Sequence, residues 1–236
     1  MPVFYTSQVN PVQAVLDEEE SRHAIRVLRM AAGDPLEIVD GKGNLYRGNI
    51  SVPDPSACQI AINDVATGYL RRDYYLHIAI APPKSTDRFE WFLEKATEIG
   101  VDEITPVICE RSERDRIRSE RSQKILIAAM KQCGRALLPK LNREILFVGF
   151  LDKAAADIRL IAHCETATDQ RIPTSPQTGR SWIILIGPEG DFTPGEIQAA
   201  LKNKYREISL GEVVYRTETA GIIACHAISL LHQNKP

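Results

Sequence analysis

The sequence lacks the features that define several large classes of protein. It has no run of about 18 apolar residues, and its first ten residues, MPVFYTSQVN, contain neither a basic start nor an apolar core. A membrane span and a secretory signal are therefore not indicated, and we expect a cytoplasmic protein. The five cysteines are odd in number, scattered and free of CxxC spacing, which argues against a disulfide framework and against a zinc cluster.

Familiar catalytic and nucleotide-binding motifs are also missing. There is no GxxxxGK[ST], HExxH, GxSxG or EF-hand loop, and the one GxG, at 41–43, lies between two predicted strands. The five histidines show no ligand spacing, so each is interpreted as a surface or core residue. The sequence therefore predicts no resident metal ion.

The patterns that are present change near residues 69–73. Before that point, PLEIVDG and NLYRGNI flank the glycine-containing loop GKGN, which predicts a hairpin in a small barrel or sandwich. From Tyr74 onward, apolar strand-like runs alternate with helical patterns, which predicts a parallel sheet covered by helices on both faces. The expected fold class is α/β, with a β-rich domain at 1–69 and an α/β domain at 74–236.

Two helices of the second domain carry clear end signals. In DRFEWFLEKATEIG the apolar residues repeat at helical spacing, and Gly100 is placed to end the helix in a left-handed turn. The segment Thr193-Pro194-Gly195-Glu196 has the form of a capping box, with proline at the first helical position.

Charge is distributed unevenly along the chain. The formal net charge is only −2, yet residues 111–143 hold ten lysines or arginines against three acidic residues. Such a segment is a candidate phosphate-facing surface, and a solvated helix face is the alternative. His23, Arg26 and Arg29 recur every three residues on a predicted helix and form a second basic edge.

Two predicted strands run directly into glycine. One is WIILIG at 182–187, which continues as PEGD before the capped helix, and the other is ISLG at 208–211. In open α/β sheets, ligands bind outside the carboxyl ends of strands, where glycine lets the backbone approach closely. For the first loop, a tight connection that needs glycine for geometry alone is the alternative.

Arg216 stands where a helix start disfavours a cation, just before TETAGIIACHA. Thr217 or Thr219 can cap that helix, and the charge of Glu218 favours its first turn. A cation beside a helix N-terminus is unfavourable by a few tenths to about 1 kcal/mol. An anion, either a phosphate or a charge that develops during a reaction, would explain the arginine.

Taken together, LIGPEGDFTPGEI, LGEVVYRTETA, EWFLEKATEIGVDEITPVICERS and QCGRALLPKL resemble the SPOUT class of RNA methyltransferases. More narrowly they resemble the bacterial RsmE family, which methylates N3 of a uridine in 16S ribosomal RNA. HAIRVLRMAAGD, at 23–34, is similar to that family's N-terminal PUA-like barrel. The resemblance implies S-adenosyl-L-methionine as the cofactor, a C-terminal trefoil knot, and ribosomal RNA or the small subunit as the substrate. It also implies a homodimer in which the cofactor pocket of one subunit borders the other.

The resemblance and the residue patterns together assign candidate site residues. Arg216 is predicted to stabilise the uracil anion, and Glu218 is a second catalytic candidate, as a base, with its place in the first helical turn as the alternative explanation. The predicted cofactor-binding residues are Ile186, Gly187, Pro188, Glu189, Gly190, Leu210, Gly211, Thr217, Thr219 and Ala220. The predicted RNA-binding residues are His23, Arg26, Arg29, Arg111 and Arg135.

The sequence departs from the family pattern in three places. Asp191 stands where a glycine is usual, Val213-Val214-Tyr215 replaces Arg-Ile-Leu, and the first arginine is Arg22. Two alternatives stay open. One is a SPOUT methyltransferase for another RNA or base, and the other is an RNA-binding protein without catalysis.

Overall fold

The computed structural model describes residues 1–164, 170, 172 and 181–233. The chain separates into two units. The first unit consists of Met1–Arg71 and Ile127–Leu138, and the second of Arg72–Leu126 and Pro139–Pro236.

The first unit is built on a five-stranded sheet. Its elements are β1 (Val3–Tyr5), β2 (Gln13–Val15), α1 (Glu18–Arg22), β3 (Pro35–Val39), β4 (Leu45–Val52) and β5 (Gln59–Ala66). The strand order is β1-β3-β4-β5-β2, and only the β1–β3 pair is parallel. The predicted hairpin is confirmed, since β3 pairs with β4 across GKGN, where Gly41 and Gly43 have φ of 72° and 96°. Those left-handed angles suit glycine, which has no Cβ to clash.

The predicted helix that would carry the first basic edge is shorter than expected. Helix α1 is followed by a π-helical turn, His23–Val27, and Arg29 lies beyond it with φ of 56°. The prediction that His23, Arg26 and Arg29 share one helix face is therefore wrong for Arg29. A left-handed residue reverses the chain direction, so helical spacing does not extend past Leu28.

The second unit contains a parallel sheet. Its strands are β6 (Tyr75–Ile80), β7 (Glu103–Ile108), β8 (Lys140–Leu141), β9 (Ile145–Leu146), β10 (Ile158–Ala162), β11 (Ser181–Ile186) and β12 (Arg206–Ile208). The order is β12-β10-β11-β6-β7-β8, with β9 also on β7, and every pairing is parallel. The α/β prediction is confirmed.

Helices cover both faces of this sheet. They are α2 (Thr86–Ile99), α4 (Phe147–Lys153), α5 (Pro194–Lys202) and α6 (Thr217–Gln233), while α3 (Ser119–Gln132) begins in the second unit and continues into the first. Successive strand residues point to opposite faces. On β6, Ala79 belongs to the core cluster of Phe147 and Ile197 from α4 and α5, whereas Ile80 faces α2 and α6 beside Gly221.

The predicted ends of α2 and α5 are confirmed. Gly100 ends α2 with φ of 114°. Thr193 caps α5, its hydroxyl accepts from Glu196 N, and the Glu196 carboxylate accepts from the Thr193 backbone. Within the described ranges, no helix has the length and hydropathy that a bilayer crossing needs.

Candidate functional site

A cavity of about 340 Å³ opens at the carboxyl ends of three neighbouring strands. Residues 162–164 line it after β10, residues 186–189 and Asp191 after β11, and residues 209–217 with Ala220 after β12. This edge is where parallel α/β sheets place ligands, because the loops after adjacent strands meet there.

Most of the predicted cofactor positions come together around this cavity. Those that line it are Ile186, Gly187, Pro188, Glu189, Leu210, Gly211, Thr217 and Ala220. Gly190 and Thr219 are not among the lining residues. The carbonyl of Gly190 instead accepts a hydrogen bond from Arg111 Nη1 at 2.8 Å.

Thr217 joins the two glycine loops. Helix α6 begins at Thr217 itself. The Thr217 hydroxyl donates to the carbonyl oxygen of Gly187 at 3.0 Å. The expectation that Thr217 or Thr219 caps the helix is therefore wrong, because both residues lie within the helix and the Thr217 hydroxyl is engaged with the other loop. Thr217 and Gly187 are buried, so this hydrogen bond fixes the separation of the two loops away from water.

Glycine leaves room for neighbouring side chains at two bends of the cavity. A Cβ on Gly187 would lie 3.1 Å from the Phe192 ring and 3.3 Å from Asp191 Oδ1. A Cβ on Gly211 would lie 2.7 Å from the hydroxyl of Tyr215. The absence of side chains there lets other groups approach the backbone closely.

Asp191 adopts a left-handed backbone conformation of the kind that glycine favours. Its φ is 59°, a left-handed angle that aspartate tolerates better than most residues. Its Oδ2 accepts from Cys164 N and its Oδ1 from Phe192 N, both at 2.8 Å. The carboxylate thereby ties the loop after β11 to the end of β10.

Contacts with segments that are distant along the chain hold the first loop in place. Glu189 Oε1 accepts from Lys84 N at 3.0 Å, and Glu196 Oε1 accepts from Glu110 N at 2.9 Å. Arg111, predicted to bind RNA, donates to Gly190. These contacts join residues that are far apart along the chain, so spacing could not reveal them.

Arg216 is one of the residues that line the cavity. The residue is exposed, and within the part of the chain that the structure describes it forms no side-chain hydrogen bond or ion pair. Among the described residues that line the cavity it is the one lysine or arginine, whereas Glu189, Asp191 and Glu212 supply carboxylates. An unpaired guanidinium beside a helix N-terminus can bind an anion.

Glu218 lies beneath the cavity and is not one of its lining residues. Its side chain is buried, and Oε1 is 3.7 Å from Arg88 Nε on α2. Its Oε2 has no hydrogen-bond partner among the described residues. This geometry pairs Glu218 with Arg88, and its catalytic role stays a prediction.

His163 is a lining residue that sequence reasoning missed. The ring is buried, and Nε2 lies 2.9 Å from Glu207 Oε1. Its Nδ1 is buried without a hydrogen-bond partner in the described part of the chain. A lone histidine after a strand carries no recognisable spacing, so only the fold could place it here.

The predicted RNA-binding residues differ in exposure and in whether their side chains have partners. Arg26 and Arg29 are exposed without a side-chain partner among the described residues, and His23 is exposed with its ring edge toward Phe4. Arg135 is partly buried and has a partner.

The basic segment 111–143 is less positive than its composition indicates. Arg121 pairs with Glu90, Lys131 with Glu20, and Lys140 with Glu103. Each of these acids lies outside the segment, so a local charge count could not include them. Part of the predicted phosphate-facing charge is therefore neutralised within the protein.

The cavity has the size and chemistry to hold S-adenosylmethionine. Ligand pockets span roughly 300–1,000 Å³, and 340 Å³ falls within that range. Gly187 and Gly211 expose backbone groups, Ile186 and Leu210 add apolar surface, and the carboxylates favour a cationic ligand. Among the described residues, no three His, Cys, Asp or Glu side chains are grouped to hold a metal ion.

Comparison with known proteins gives the class first. Residues 71–229 match the family described as RNA methyltransferase domain, and residues 16–63 match the RNA methyltransferase PUA domain. The fold and the site thus define an RNA methyltransferase with an N-terminal PUA-like domain.

Individual relatives indicate which family of RNA methyltransferases this chain resembles. A ribosomal RNA small subunit methyltransferase E from Mesomycoplasma hyopneumoniae is 33% identical, over 72% of this chain and 75% of its own. A probable rRNA-methyltransferase from Porphyromonas gingivalis has a TM-score of 0.89 and 38% identity over 99% of both chains. A ribosomal RNA small subunit methyltransferase E from Neisseria gonorrhoeae, bound to S-adenosyl methionine, has a TM-score of 0.86 and 27% identity over 98% of both chains. The chain belongs to the ribosomal RNA small subunit methyltransferase E family.

Proposed function

We propose that this protein transfers a methyl group from S-adenosylmethionine to N3 of one uridine in 16S ribosomal RNA. The observation that carries the proposal is the free guanidinium of Arg216 at a cavity built from two glycine bends. Family membership and the relative that binds S-adenosyl methionine support the same reaction.

The reaction needs an anionic nucleobase next to an electrophilic carbon. The N3 proton of uracil passes to a base, for which Glu218 is the candidate side chain, the N3–CH₃ bond forms as the S–CH₃ bond breaks, and the negative charge on the imide is consumed. The cofactor supplies the methyl group on a sulfonium that leaves as a neutral thioether. The protein chiefly has to orient the reactants and stabilise the uracil anion.

We assign the stabilising role to Arg216. Its guanidinium can donate to a uracil carbonyl oxygen or to the adjacent phosphate, and it has no competing partner among the described residues. The eight predicted cofactor-binding residues that line the cavity would hold the cofactor through backbone amides and carbonyls of the two loops. The bond from Thr217 to Gly187 keeps those loops at a fixed separation.

The remaining parts of the proposal concern the whole molecule. Residues 1–69 form the RNA-binding domain and 74–236 the catalytic domain, with the two glycine loops in a trefoil knot. By its contacts the segment Ile127–Leu138 belongs with the first unit. Arg26 and Arg29 contribute to RNA capture with charges that have no partner in the described ranges. The protein acts as a cytoplasmic homodimer whose second subunit borders the cofactor cavity.

Substrate and reaction are tested together with ribosomal RNA from cells that lack the gene. Purified protein with S-adenosylmethionine should restore one N3-methyluridine, detected by mass spectrometry. Methylation of another base or another RNA would contradict the assigned target. Absence of S-adenosylmethionine binding in calorimetry would favour an RNA-binding protein without catalysis.

The role of Arg216 has its own variant. Arg216→Ala should lower turnover about 100-fold or more, because one preorganised donor to the developing charge is lost. S-adenosylmethionine affinity should stay near that of the wild type, and Arg216→Lys should recover only part of the rate, since a lysine cannot donate through a planar fork. Near-normal turnover of Arg216→Ala would remove the residue from the mechanism. Glu218→Gln, measured alongside, tests whether that carboxylate acts as a base.

A further inference from the structure

A second cavity, of about 450 Å³, lies in the second unit, at the end of the parallel sheet where its strands begin. Tyr75 and His77 of β6 line it together with Glu103 and Thr105 of β7, near the amino ends of both strands. The first cavity lies at the carboxyl ends. A strand of six residues is about 20 Å long, so the two cavities are separate sites.

One wall of this cavity is a connected set of polar side chains. Asn142 Nδ2 donates to Glu103 Oε1 at 2.6 Å and to Thr105 Oγ1 at 2.7 Å. Thr105 Oγ1 also lies 2.7 Å from His77 Nε2, and the tautomer of the ring decides which of the two donates. The amide nitrogen of Asn142 is thus fully used. Its Oδ1 accepts no hydrogen bond within the described ranges and is left for a ligand.

The charges inside this wall are already balanced. Glu103 also accepts from Lys140 Nζ at 2.8 Å and from the Tyr75 hydroxyl at 2.5 Å. Burial alone would raise the pKa of Glu103, but the hydrogen bonds from Asn142, Lys140 and Tyr75 outweigh it and lower the pKa to about 2. Burial lowers the pKa of His77 to about 4, so that ring is neutral. The wall therefore presents no net charge to a ligand.

The rim, in contrast, carries two cations. Arg143 and Lys153 line the cavity and are exposed, and neither forms a side-chain hydrogen bond or ion pair in the part of the chain that the structure describes. Two unpaired cations at the mouth of a concave site favour an anionic group there.

Tyr75 adds an aromatic surface. The residue is 43% exposed, and its hydroxyl is anchored on Glu103, which fixes the ring at the cavity. Nucleobases stack on such rings, and their N–H groups match a free carbonyl oxygen. A phosphate-sized anion alone would use Arg143 and Lys153 but would leave the ring and Asn142 Oδ1 without a function.

We propose that this cavity binds a nucleotide, with its phosphate on Arg143 and Lys153 and its base beside Tyr75 and Asn142. The site goes beyond the proposed function, because it lies at the other edge of the sheet and takes no part in methyl transfer. The nucleotide is either free in solution or part of an RNA chain, since both present the same phosphate, ring and N–H groups.

The test uses the full protein with S-adenosylhomocysteine added, so that the cofactor positions of the first cavity are filled, and binding at the second cavity is identified by the variants of its own residues. Uridine monophosphate, adenosine monophosphate and a short oligouridylate are titrated separately by calorimetry. Arg143→Ala combined with Lys153→Ala should weaken binding at least about tenfold, because charge-assisted hydrogen bonds are lost. Lys202→Ala, which removes one exposed lysine on α5, is the control and should leave binding unchanged.

A second pair of variants distinguishes binding in the cavity from binding to surface charge alone. Tyr75→Ala removes the ring and should weaken binding, whereas Tyr75→Phe loses the same hydroxyl contact but keeps the ring and the affinity. If the charge and ring variants bind the mononucleotides more weakly than the wild type does, the ligand is a free nucleotide. If the variants weaken only the binding of the oligouridylate, the ligand is a nucleotide of RNA. The proposal is overturned if no probe binds, or if the charge and ring variants bind every probe as the wild type does. None of these readouts depends on methyl transfer.

Discussion

Replacing Thr217 with valine should loosen the junction of the two glycine loops while preserving side-chain shape. Thr217 is 4% exposed, and its hydroxyl donates to the buried carbonyl of Gly187 at 3.0 Å. Valine removes that donor and leaves the carbonyl without its partner, which costs about 1–3 kcal/mol. For a chain of this length each kcal/mol lowers Tm by roughly 2–4 °C.

The same change should reduce cofactor affinity, because the loops on both sides of the cavity lose their shared contact. A loss of about 1.4 kcal/mol in the competent arrangement corresponds to a tenfold higher Kd. Thermal unfolding and calorimetric titration with S-adenosylmethionine measure the two effects on the same samples. Thr217→Ser keeps the hydroxyl and should stay near the wild type in affinity. If Thr217→Val retains both wild-type Tm and wild-type affinity, the hydrogen bond does not hold the loops.

Two further changes test the packing and the titration of the second unit. Gly221→Ala should destabilise the protein by about 1–3 kcal/mol in denaturant unfolding, because its Cβ would lie 2.6 Å from the buried Phe92 ring. Gly149→Ala, whose Cβ meets nothing closer than 3.6 Å, should gain up to about 1 kcal/mol, and equal effects would refute the packing argument. Burial lowers the pKa of His77 from 6.5 to about 4, so its contribution is present above pH 6.5 and is lost as pH falls toward 4. Between those pH values the wild type should lose about 3 kcal/mol more unfolding free energy than His77→Gln, and parallel pH profiles would contradict the shift.

The fold was predictable because its signals are local. The alternation of apolar runs with helical patterns defines the parallel sheet, and Gly100 and the Thr193 capping box mark helix ends within a few residues. The basic helix failed as a prediction at Arg29, where a left-handed residue interrupts the spacing. A positive φ at a residue other than glycine is difficult to predict from sequence.

The candidate site was predictable in part. Glycines after two apolar strands and an arginine before a helix marked the loops that meet at the cavity. The capping role of Thr217 was wrong, and the places of His163 and Arg111 were missed. These depend on partners such as Glu207 and Gly190 that are distant along the chain.

The sequence by itself determined which segments become strands and helices and which strand ends carry glycine, because periodicity and backbone freedom act over a few neighbouring residues. The tertiary structure decided which of those ends meet and which charges remain free. It paired Lys140 with Glu103 but left Arg143 without a partner among the described residues, and it linked Thr217 to Gly187. Hydrogen bonds and ion pairs act over a few ångströms in space, and only the folded chain sets those distances.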